Sequence, residues 1–201
     1  MNLAEKLGAG IYAEHLMLAA DRWGIDDPED QARWLAQCSV ESGGFKRVVE
    51  NLNYRAERLL EVFRGRNGMH TLKQAQRIVS GGQHAIGNAI YGGAWGAKRL
   101  GNTELGDGWK FRGMSLIQTT GRFNFAGTSI GLYGDDRLLH HPQLLQTPEG
   151  AAQAAAWYWY SRKLNGITDI RLVTKKINAA MLELDKRMAI TTQALKLVQS
   201  A

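Results

Sequence analysis

The sequence predicts an all-α, mainly helical fold, and three observations support that prediction. Apolar residues recur at steps of three and four along several segments, which is the spacing of one helix face. Two segments begin with a capping residue, a proline and an acid, in the order that starts many helices. The alternating pattern of a half-buried strand is scarce, and residues 111–120 are the best candidate for a short extended piece.

Three segments carry the helix signals most fully. The first starts at Asp27, the predicted cap, and stops at Gly43-Gly44, where two glycines favour a change of chain direction. The second starts at Thr147 and is expected to stop at Asn165-Gly166 after an alanine-rich body. The third is predicted as one continuous helix face near the C-terminus, formed by Ile170, Val173, Ile177, Met181, Leu184 and Met188.

The chain of 201 residues is expected to form a single domain over residues 1–201. A globule of this size buries about 70% of the surface of its unfolded chain, so it needs no stabilising disulfide. The one cysteine, Cys38, cannot form an internal disulfide and is predicted to be a small buried residue. Residues 80–113 are dense in glycine and aromatic side chains, which fits a disordered segment, a surface that stacks on sugar or base rings, or a surface loop anchored by aromatics in the core.

The formal net charge of +6 favours anionic partners, namely nucleic acid, a membrane surface or an anionic cell-wall polymer. The basic residues are scattered, so charge alone leaves these alternatives open. The N-terminal segment lacks the pattern of a secretory signal, and no stretch reaches the roughly 20 apolar residues of a membrane span. Basic residues beside the C-terminal apolar face allow a transient contact with an anionic membrane, although a solvated face is the favoured interpretation.

Two other clusters carry weaker functional signals. His140-His141 is a conceivable metal ligand pair, but no metal-binding motif accompanies it, and a turn is predicted instead. The four consecutive aromatics at residues 157–160 point in all directions on a helix, so most of them are predicted to belong to the core. No metal site and no cofactor are expected, and the chain is expected to be a monomer.

Glu41 and Glu50 are nine residues apart, with Gly43-Gly44 between them. On one continuous helix they would lie on opposite faces, roughly 13–14 Å apart along the axis, but a glycine break lets the chain fold back. Glu41 falls in the last turn of its helix on the side of apolar residues, where desolvation and the helix dipole favour the neutral acid. Glu50 follows among basic residues, which favour the carboxylate.

Two carboxyls in opposed environments are what a glycosidase requires, since one donates a proton and the other acts as base. An inverting mechanism needs them about 6.5–9.5 Å apart, with room for a water molecule. The spacing of Glu41 and Glu50 by itself also fits two solvated surface charges, because paired acids are common.

Four ordered blocks of sequence surround and follow these two acids. They are ESGGF followed by ENLNY, then YGG with GDGWKFRGMSLIQTTGRFNF, then TPEGAAQAAAWYWY, and last VTKKINAAMLELDKR. Together they resemble the catalytic domain of glycoside hydrolase family 19, over about residues 25–190. Within that family the chain is most similar to bacteriophage endolysins and related bacterial lysozyme-like enzymes. The resemblance implies a lysozyme-like fold of two lobes around a substrate cleft.

The resemblance also implies a role for each residue at a matching position. Glu41 matches the general acid and Glu50 the general base of an inverting mechanism that uses no metal or cofactor. Thr120 matches the hydroxyl residue that helps to position the attacking water. The residues expected to hold the sugar chain or to support the two acids are Gln118, Asn124, Asn178, Arg187, Tyr54 and Trp109.

The chain departs from the family pattern at three places. The family usually has GRG before LIQ, where this chain has Gly113, Met114 and Ser115. It usually has INGG, where this chain has INAA, and alanines in place of glycines favour a continued helix. Val40 stands where a histidine often precedes the acid. None of these changes replaces either glutamate.

The predicted function is that of an endolysin that hydrolyses β-1,4-glycosidic bonds of peptidoglycan glycan strands and lyses the host cell. A chitinase that acts on N-acetylglucosamine polymers uses the same chemistry and is the first alternative. A non-catalytic module that binds glycan or nucleic acid is the second, although no nucleic-acid partner is expected. The resemblance further implies that the protein stays in the host cytoplasm, without a signal peptide, until a holin opens the membrane.

Overall fold

A computed structural model describes residues 1–200 of the chain, and its regular elements are helices. Three short 3₁₀ helices lie at Gly10–Tyr12, Arg66–Gly68 and Pro142–Gln146. The α-helices of the described residues are α1 (Leu3–Lys6), α2 (Ala13–Arg22), α3 (Pro28–Glu41), α4 (Ala56–Phe63), α5 (Leu72–Ser80), α6 (Gly82–Tyr91), α7 (Gly93–Leu100), α8 (Asp107–Lys110), α9 (Arg122–Tyr133), α10 (Arg137–His140), α11 (Pro148–Ser161), α12 (Ile170–Ile177) and α13 (Leu184–Gln199). The predicted all-α fold class is confirmed.

The chain forms two compact units, each built from separate stretches of sequence. Unit 1 comprises Met1–Val48, Ser115–Gln118 and the residues from Gln143 onward. Unit 2 comprises Val49–Met114 and Thr119–Pro142. The two predicted catalytic glutamates therefore belong to different units, with Glu41 in unit 1 and Glu50 in unit 2.

Unit 1 has one apolar core, in which two tryptophans are fully buried. Trp34 of α3 donates its indole N–H to the Ala155 carbonyl of α11 at 3.3 Å, and Trp159 donates to the Asn165 side chain at 2.7 Å. Helix α3 packs along α13, and α11 packs along α2. Each buried indole thus has a partner for its one polar atom, which removes the cost of burying an unpaired donor.

Helix α3 carries Glu41, and both of its ends follow the predicted signals. The Asp27 side chain accepts the Glu29 N–H at 2.7 Å, so Asp27 is the N-cap. The helix ends at Glu41, and Gly43 and Gly44 then adopt φ angles of 65° and 79°. Glycine enters this left-handed conformation without a steric penalty, so the glycine pair turns the chain away from the helix axis.

Unit 2 has a second apolar core, to which α4, α5 and α6 contribute. Leu59 and Ile90 are fully buried in that core. Phe111 and Phe125 are also fully buried and face each other with ring centroids 5.2 Å apart. A bidentate ion pair between Asp107 of α8 and Arg122 of α9, at 2.7 and 2.8 Å, fixes α9 next to α8.

The glycine-rich segment at residues 80–113 is largely helical, which corrects the prediction of a loop. It contains α6, α7 and α8, joined by short connections. A Cβ atom at Gly108 would lie 2.6 Å from the Gly87 carbonyl oxygen and 2.8 Å from the Asn88 Cα. Glycine therefore lets α6 and α8 pack backbone to backbone, and composition alone does not distinguish such close packing from flexibility.

The predicted continuous helix near the C-terminus is divided into α12 and α13. Residues 178–183 form a turn in which Met181 and Glu183 are left-handed. The Asn178 side chain accepts the Ala180 N–H at 3.2 Å, a local bond that competes with helix continuation. The expectation that the alanines of INAA would extend the helix is wrong for this reason.

Two further boundary predictions need correction. Helix α11 begins at its predicted Thr147 cap but ends at Ser161, earlier than the predicted stop at Asn165-Gly166. Residues 111–120 contain no strand within the described chain, and the extended character is limited to isolated bridges from Met114 to Val49 and to Thr119.

The clusters with weaker functional signals have mixed outcomes. Among the four consecutive aromatics Trp159 is fully buried and Tyr158 packs against the core of unit 1, whereas Tyr160 is 54% exposed, so the prediction that most belong to the core is correct in part. Cys38 is buried as predicted.

His140 ends α10 and is exposed, and residues 1–200 contain no group of three or more potential ligands placed to hold a metal ion. None of the helices in that range is both long and apolar enough to cross a membrane.

Candidate active site

Glu41 is the last residue of α3, and its side chain is 18% exposed. Its Oε1 accepts a hydrogen bond from the Arg187 guanidinium at 2.5 Å, which makes the two side chains an ion pair. Such a charge-assisted contact stabilises the carboxylate. Glu41 is therefore a partly buried acid with a fixed partner, and it is not a solvated surface charge.

Arg187 is 2% exposed, and its guanidinium donates hydrogen bonds to three acceptors. Besides Glu41, it donates to the Gln37 side chain at 2.5 Å and to the Leu182 carbonyl at 2.9 Å. Gln37 is itself fully buried and donates to the Thr174 hydroxyl at 3.4 Å. This cluster joins α3, α12 and α13, so the position of Glu41 depends on three helices rather than on α3 alone.

Glu50 follows an isolated bridge between Val49 and Met114. Its backbone N–H donates to the Gly113 carbonyl at 3.0 Å, and the Gly113 N–H donates to Glu50 Oε1 at 2.6 Å. The Tyr91 hydroxyl donates to Glu50 Oε2 at 2.8 Å. Both carboxyl oxygens thus have a donor within unit 2, which excludes the interpretation of Glu50 as a solvated loop acid.

The protonation of Glu50 differs from the sequence prediction. Burial raises the pKa of Glu50 above the ordinary range of a glutamate. The hydrogen bonds from Gly113 and Tyr91 and the charge of Arg112 each lower it, but burial has the larger effect. The prediction that the basic residues next to Glu50 in the sequence would favour its ionised form is therefore wrong. The cation that acts on it is Arg112, which is distant in sequence.

Trp109, predicted to contact sugar, lies in α8 with Arg112 over one face of its ring. The Arg112 guanidinium is 3.8 Å from the indole centroid and also donates to the Trp109 carbonyl at 3.0 Å. The His84 ring lies 5.5 Å from the indole, tilted by 42°. Trp109 also donates its backbone N–H to the Asn88 side chain at 2.9 Å. Arg112 therefore occupies one face of the ring and leaves at most the other face for a sugar.

Tyr54 is half-buried and packs edge-on against Phe63, with ring centroids 5.5 Å apart. Burial raises the pKa of Tyr54, and the negative charge of Glu50 raises it further. The structure therefore places Tyr54 in the electrostatic environment of Glu50, and its substrate-binding role stays a prediction.

The remaining predicted residues divide between the two units. In unit 2, Asn124 donates to the Thr120 backbone carbonyl at 2.7 Å, so this bond does not involve the Thr120 hydroxyl. In unit 1, Gln118 is exposed, and Asn178 caps the end of α12. Within the described part of the chain, neither Gln118 nor Asn178 makes a hydrogen bond to Glu41. Their substrate-binding roles stay predictions.

Two of the residues that depart from the family pattern have defined local environments. Met114 is only 2% exposed, so its side chain is an interior residue of this fold. Ser115, where the family usually has glycine, is fully buried at a φ of 78°. Its hydroxyl donates to the Ile117 carbonyl at 2.7 Å. A left-handed backbone costs a non-glycine residue about 1–2 kcal/mol, which this hydrogen bond offsets in part.

Ser115→Ala is expected to lower the free energy of unfolding by about 1 kcal/mol, because it keeps the left-handed strain and removes the hydroxyl that bonds to Ile117. Ser115→Gly removes the strain together with the hydrogen bond, so it should destabilise the fold less than Ser115→Ala. Urea denaturation of the two variants measures the difference. A greater loss for glycine than for alanine would contradict the proposed strain.

Sequence reasoning missed three residues that hold the two acids. Gln37 holds Arg187, the partner of Glu41. It lies four residues before Glu41 and so on the same face of α3, and a polar residue there could have been recognised from the sequence. Tyr91 was assigned only to the ring-stacking aromatics of the glycine-rich segment. Gly113 contributes through its backbone N–H, for which the sequence carries no chemical signal.

Comparison with known proteins gives the family of the chain. A curated protein of Haemophilus influenzae (strain Rd), described as a glycosyl hydrolase family 19 domain-containing protein, is 34% identical over 181 residues, which cover 89% of this chain and 84% of that protein. No protein-family model matches the chain. The helical fold, the two partly buried acids and this similarity define the class of protein, a glycoside hydrolase. The chain belongs to glycosyl hydrolase family 19.

Proposed function

We propose that this glycoside hydrolase is an endolysin, which cleaves β-1,4-glycosidic bonds of bacterial peptidoglycan by an inverting acid–base mechanism. The observation that carries the proposal is that both glutamates are partly buried and held by named donors, Glu41 by Arg187 and Glu50 by Tyr91 and Gly113. Surface charges without a chemical role have no need of such supports, since ordering and desolvating a carboxyl costs free energy.

In this mechanism Glu41 is the acid, and its proton passes to the glycosidic oxygen as the bond to the anomeric carbon breaks. Negative charge then develops on Glu41, where the Arg187 guanidinium is already in place to stabilise it. Arg187 thus favours the state that Glu41 reaches after it has donated its proton.

Glu50 is the base and removes a proton from the attacking water, while Thr120 provides a hydroxyl contact for that water. The raised pKa of Glu50 makes it a stronger base than an ordinary glutamate wherever the pH keeps it ionised. Activity is therefore expected to fall as the pH drops through the raised pKa of Glu50.

Peptidoglycan is the proposed substrate because its peptides and attached polymers carry negative charge, which complements the formal net charge of +6. The resemblance to bacteriophage endolysins adds a biological setting, in which the protein waits in the host cytoplasm until a holin gives it access to the cell wall. Chitin has no charge, so the basic surface has no comparable role in a chitinase.

Digestion of purified peptidoglycan and of chitin oligomers is expected to release products from peptidoglycan. Mass spectrometry after borohydride reduction identifies the sugar at each new reducing end and so gives the bond that is cut. Cleavage restricted to chitin oligomers would favour the chitinase alternative. Binding to either polymer without cleavage would favour a non-catalytic module.

A further inference from the structure

The carboxylate of Glu50 is held at both oxygens and still has capacity to accept further donors. Gly113 donates to Oε1 at 2.6 Å and Tyr91 donates to Oε2 at 2.8 Å. An ionised carboxylate has about four lone-pair positions, so each oxygen keeps one of them for a donor such as water. A neutral carboxyl loses acceptor capacity at the protonated oxygen. The two donors therefore favour the ionised form and fix its orientation.

Tyr91 is itself a fixed donor at the end of α6. The Asn102 side chain donates to the Tyr91 carbonyl at 2.8 Å and holds the backbone of this residue. Burial, together with the charge of Glu50 and the hydrogen bond to it, raises the pKa of Tyr91 far above that of an ordinary tyrosine, although nearby Arg66 opposes the shift. The phenol therefore stays protonated at any working pH and remains a donor to Glu50.

The remaining influence on Glu50 is the positive charge of Arg112, which Trp109 holds. The guanidinium lies on the indole face at 3.8 Å and is tied to the backbone carbonyl of the same tryptophan. A cation that is stacked and hydrogen-bonded in this way has little rotamer freedom. The titratable or charged groups around Glu50 in unit 2 are thus Arg112, Tyr91 and Tyr54.

This inference rests on the proposed role of Glu50 as general base. We propose that Tyr91 and the Trp109–Arg112 stack are positioning residues, which keep Glu50 ionised and aim a free lone pair of its carboxylate at the attacking water. Trp109 then acts through Arg112 and not as a platform for a sugar ring. Burial makes Glu50 a strong base, and these neighbours keep enough of it deprotonated to act.

The first test is the pH dependence of kcat/KM for Tyr91→Phe. Loss of the donor raises the pKa of Glu50, so the acidic limb of the profile is expected to move to higher pH. The rate on the plateau should stay above that of Glu50→Gln, which is expected to lose about 10²–10⁴-fold. Tyr160→Phe, a change on the exposed side of α11, is the matched control and should leave the limb in place. A lower plateau with an unmoved limb would mean that Tyr91 has only a structural role.

A second test separates the two possible roles of Trp109. As a positioning residue, Trp109→Leu should move the acidic limb in the same direction as Arg112→Gln, because both changes weaken the cation near Glu50. As a sugar platform, the same change would raise KM and leave the limb in place, which would overturn this part of the proposal.

Failure of this inference can be told apart from failure of the proposed function. Carbon-13 NMR of the glutamate carboxyls follows the titration of Glu50 without any substrate, with Glu50→Gln used to assign the signal. Tyr91→Phe is expected to move that titration to higher pH, and an unchanged titration would contradict the inference. If the parent protein cleaves neither polymer, the proposed function fails, whatever the titration shows.

Discussion

Replacing Glu41 with glutamine is expected to lower the rate of glycan hydrolysis by about 10²–10⁴-fold. Glutamine has the size of the glutamate and keeps an oxygen that accepts the hydrogen bond from Arg187, so the cluster around α3 should stay assembled. It has no acidic proton to give to the glycosidic oxygen. The loss should therefore appear in kcat, with little change in the binding of the glycan.

The turbidity of permeabilised Gram-negative cells gives the rate of lysis, and purified peptidoglycan gives the rate of bond cleavage. Glu57→Gln is a suitable control, because it removes an exposed acid from α4 and should leave both rates unchanged. Far-UV circular dichroism checks that the Glu41→Gln variant remains helical. Clearing of cells at the parent rate by a folded Glu41→Gln variant would remove Glu41 from the mechanism.

The parts of the fold that the sequence predicted are those set by local chemistry. Asp27 and Thr147 cap their helices because a side-chain oxygen next to a free backbone N–H forms a local bond that needs no tertiary context. Gly43 and Gly44 end α3 because only glycine enters the left-handed region freely. Such signals depend on neighbouring residues alone, so one sequence suffices to find them.

The missed features depend on residues far apart in sequence. The glycines of residues 80–113 serve close packing, as the approach of Gly108 to Gly87 shows, and a sequence does not reveal which backbone lies opposite a glycine. The protonation of Glu50 is likewise set by burial and by Arg112, which lies much later in the chain. The basic residues next to Glu50 in sequence therefore predicted a lowered pKa, whereas its pKa is raised. The family resemblance made the two acids candidates for catalysis, but the groups that act on Glu50 required the structure.

Arg187→Met is expected to cause the largest loss of stability of any single change considered for this protein. The substitution leaves Glu41 without its cation and leaves the Gln37 side chain and the Leu182 carbonyl without their donor. Breaking a buried ion pair by removing one partner costs about 3–5 kcal/mol, because the remaining charge and acceptors stay desolvated. Since Glu41 keeps some contact with solvent, we expect a loss of about 3 kcal/mol, at the lower end of that range.

Lys186→Met is the matched control, because it removes the neighbouring cation on α13, which makes only an exposed ion pair with Glu183 at 3.2 Å. Exposed pairs contribute at most about 1 kcal/mol, so this variant should unfold close to the parent in urea. The double variant Glu41→Gln with Arg187→Met tests the mechanism of the loss. Because the Glu41→Gln change removes the charge that Arg187→Met would strand, the double variant should be more stable than the sum of the two single losses predicts. Strictly additive losses would mean that Arg187 stabilises the fold through packing and its bonds to Gln37 and Leu182, and not through its ion pair with Glu41.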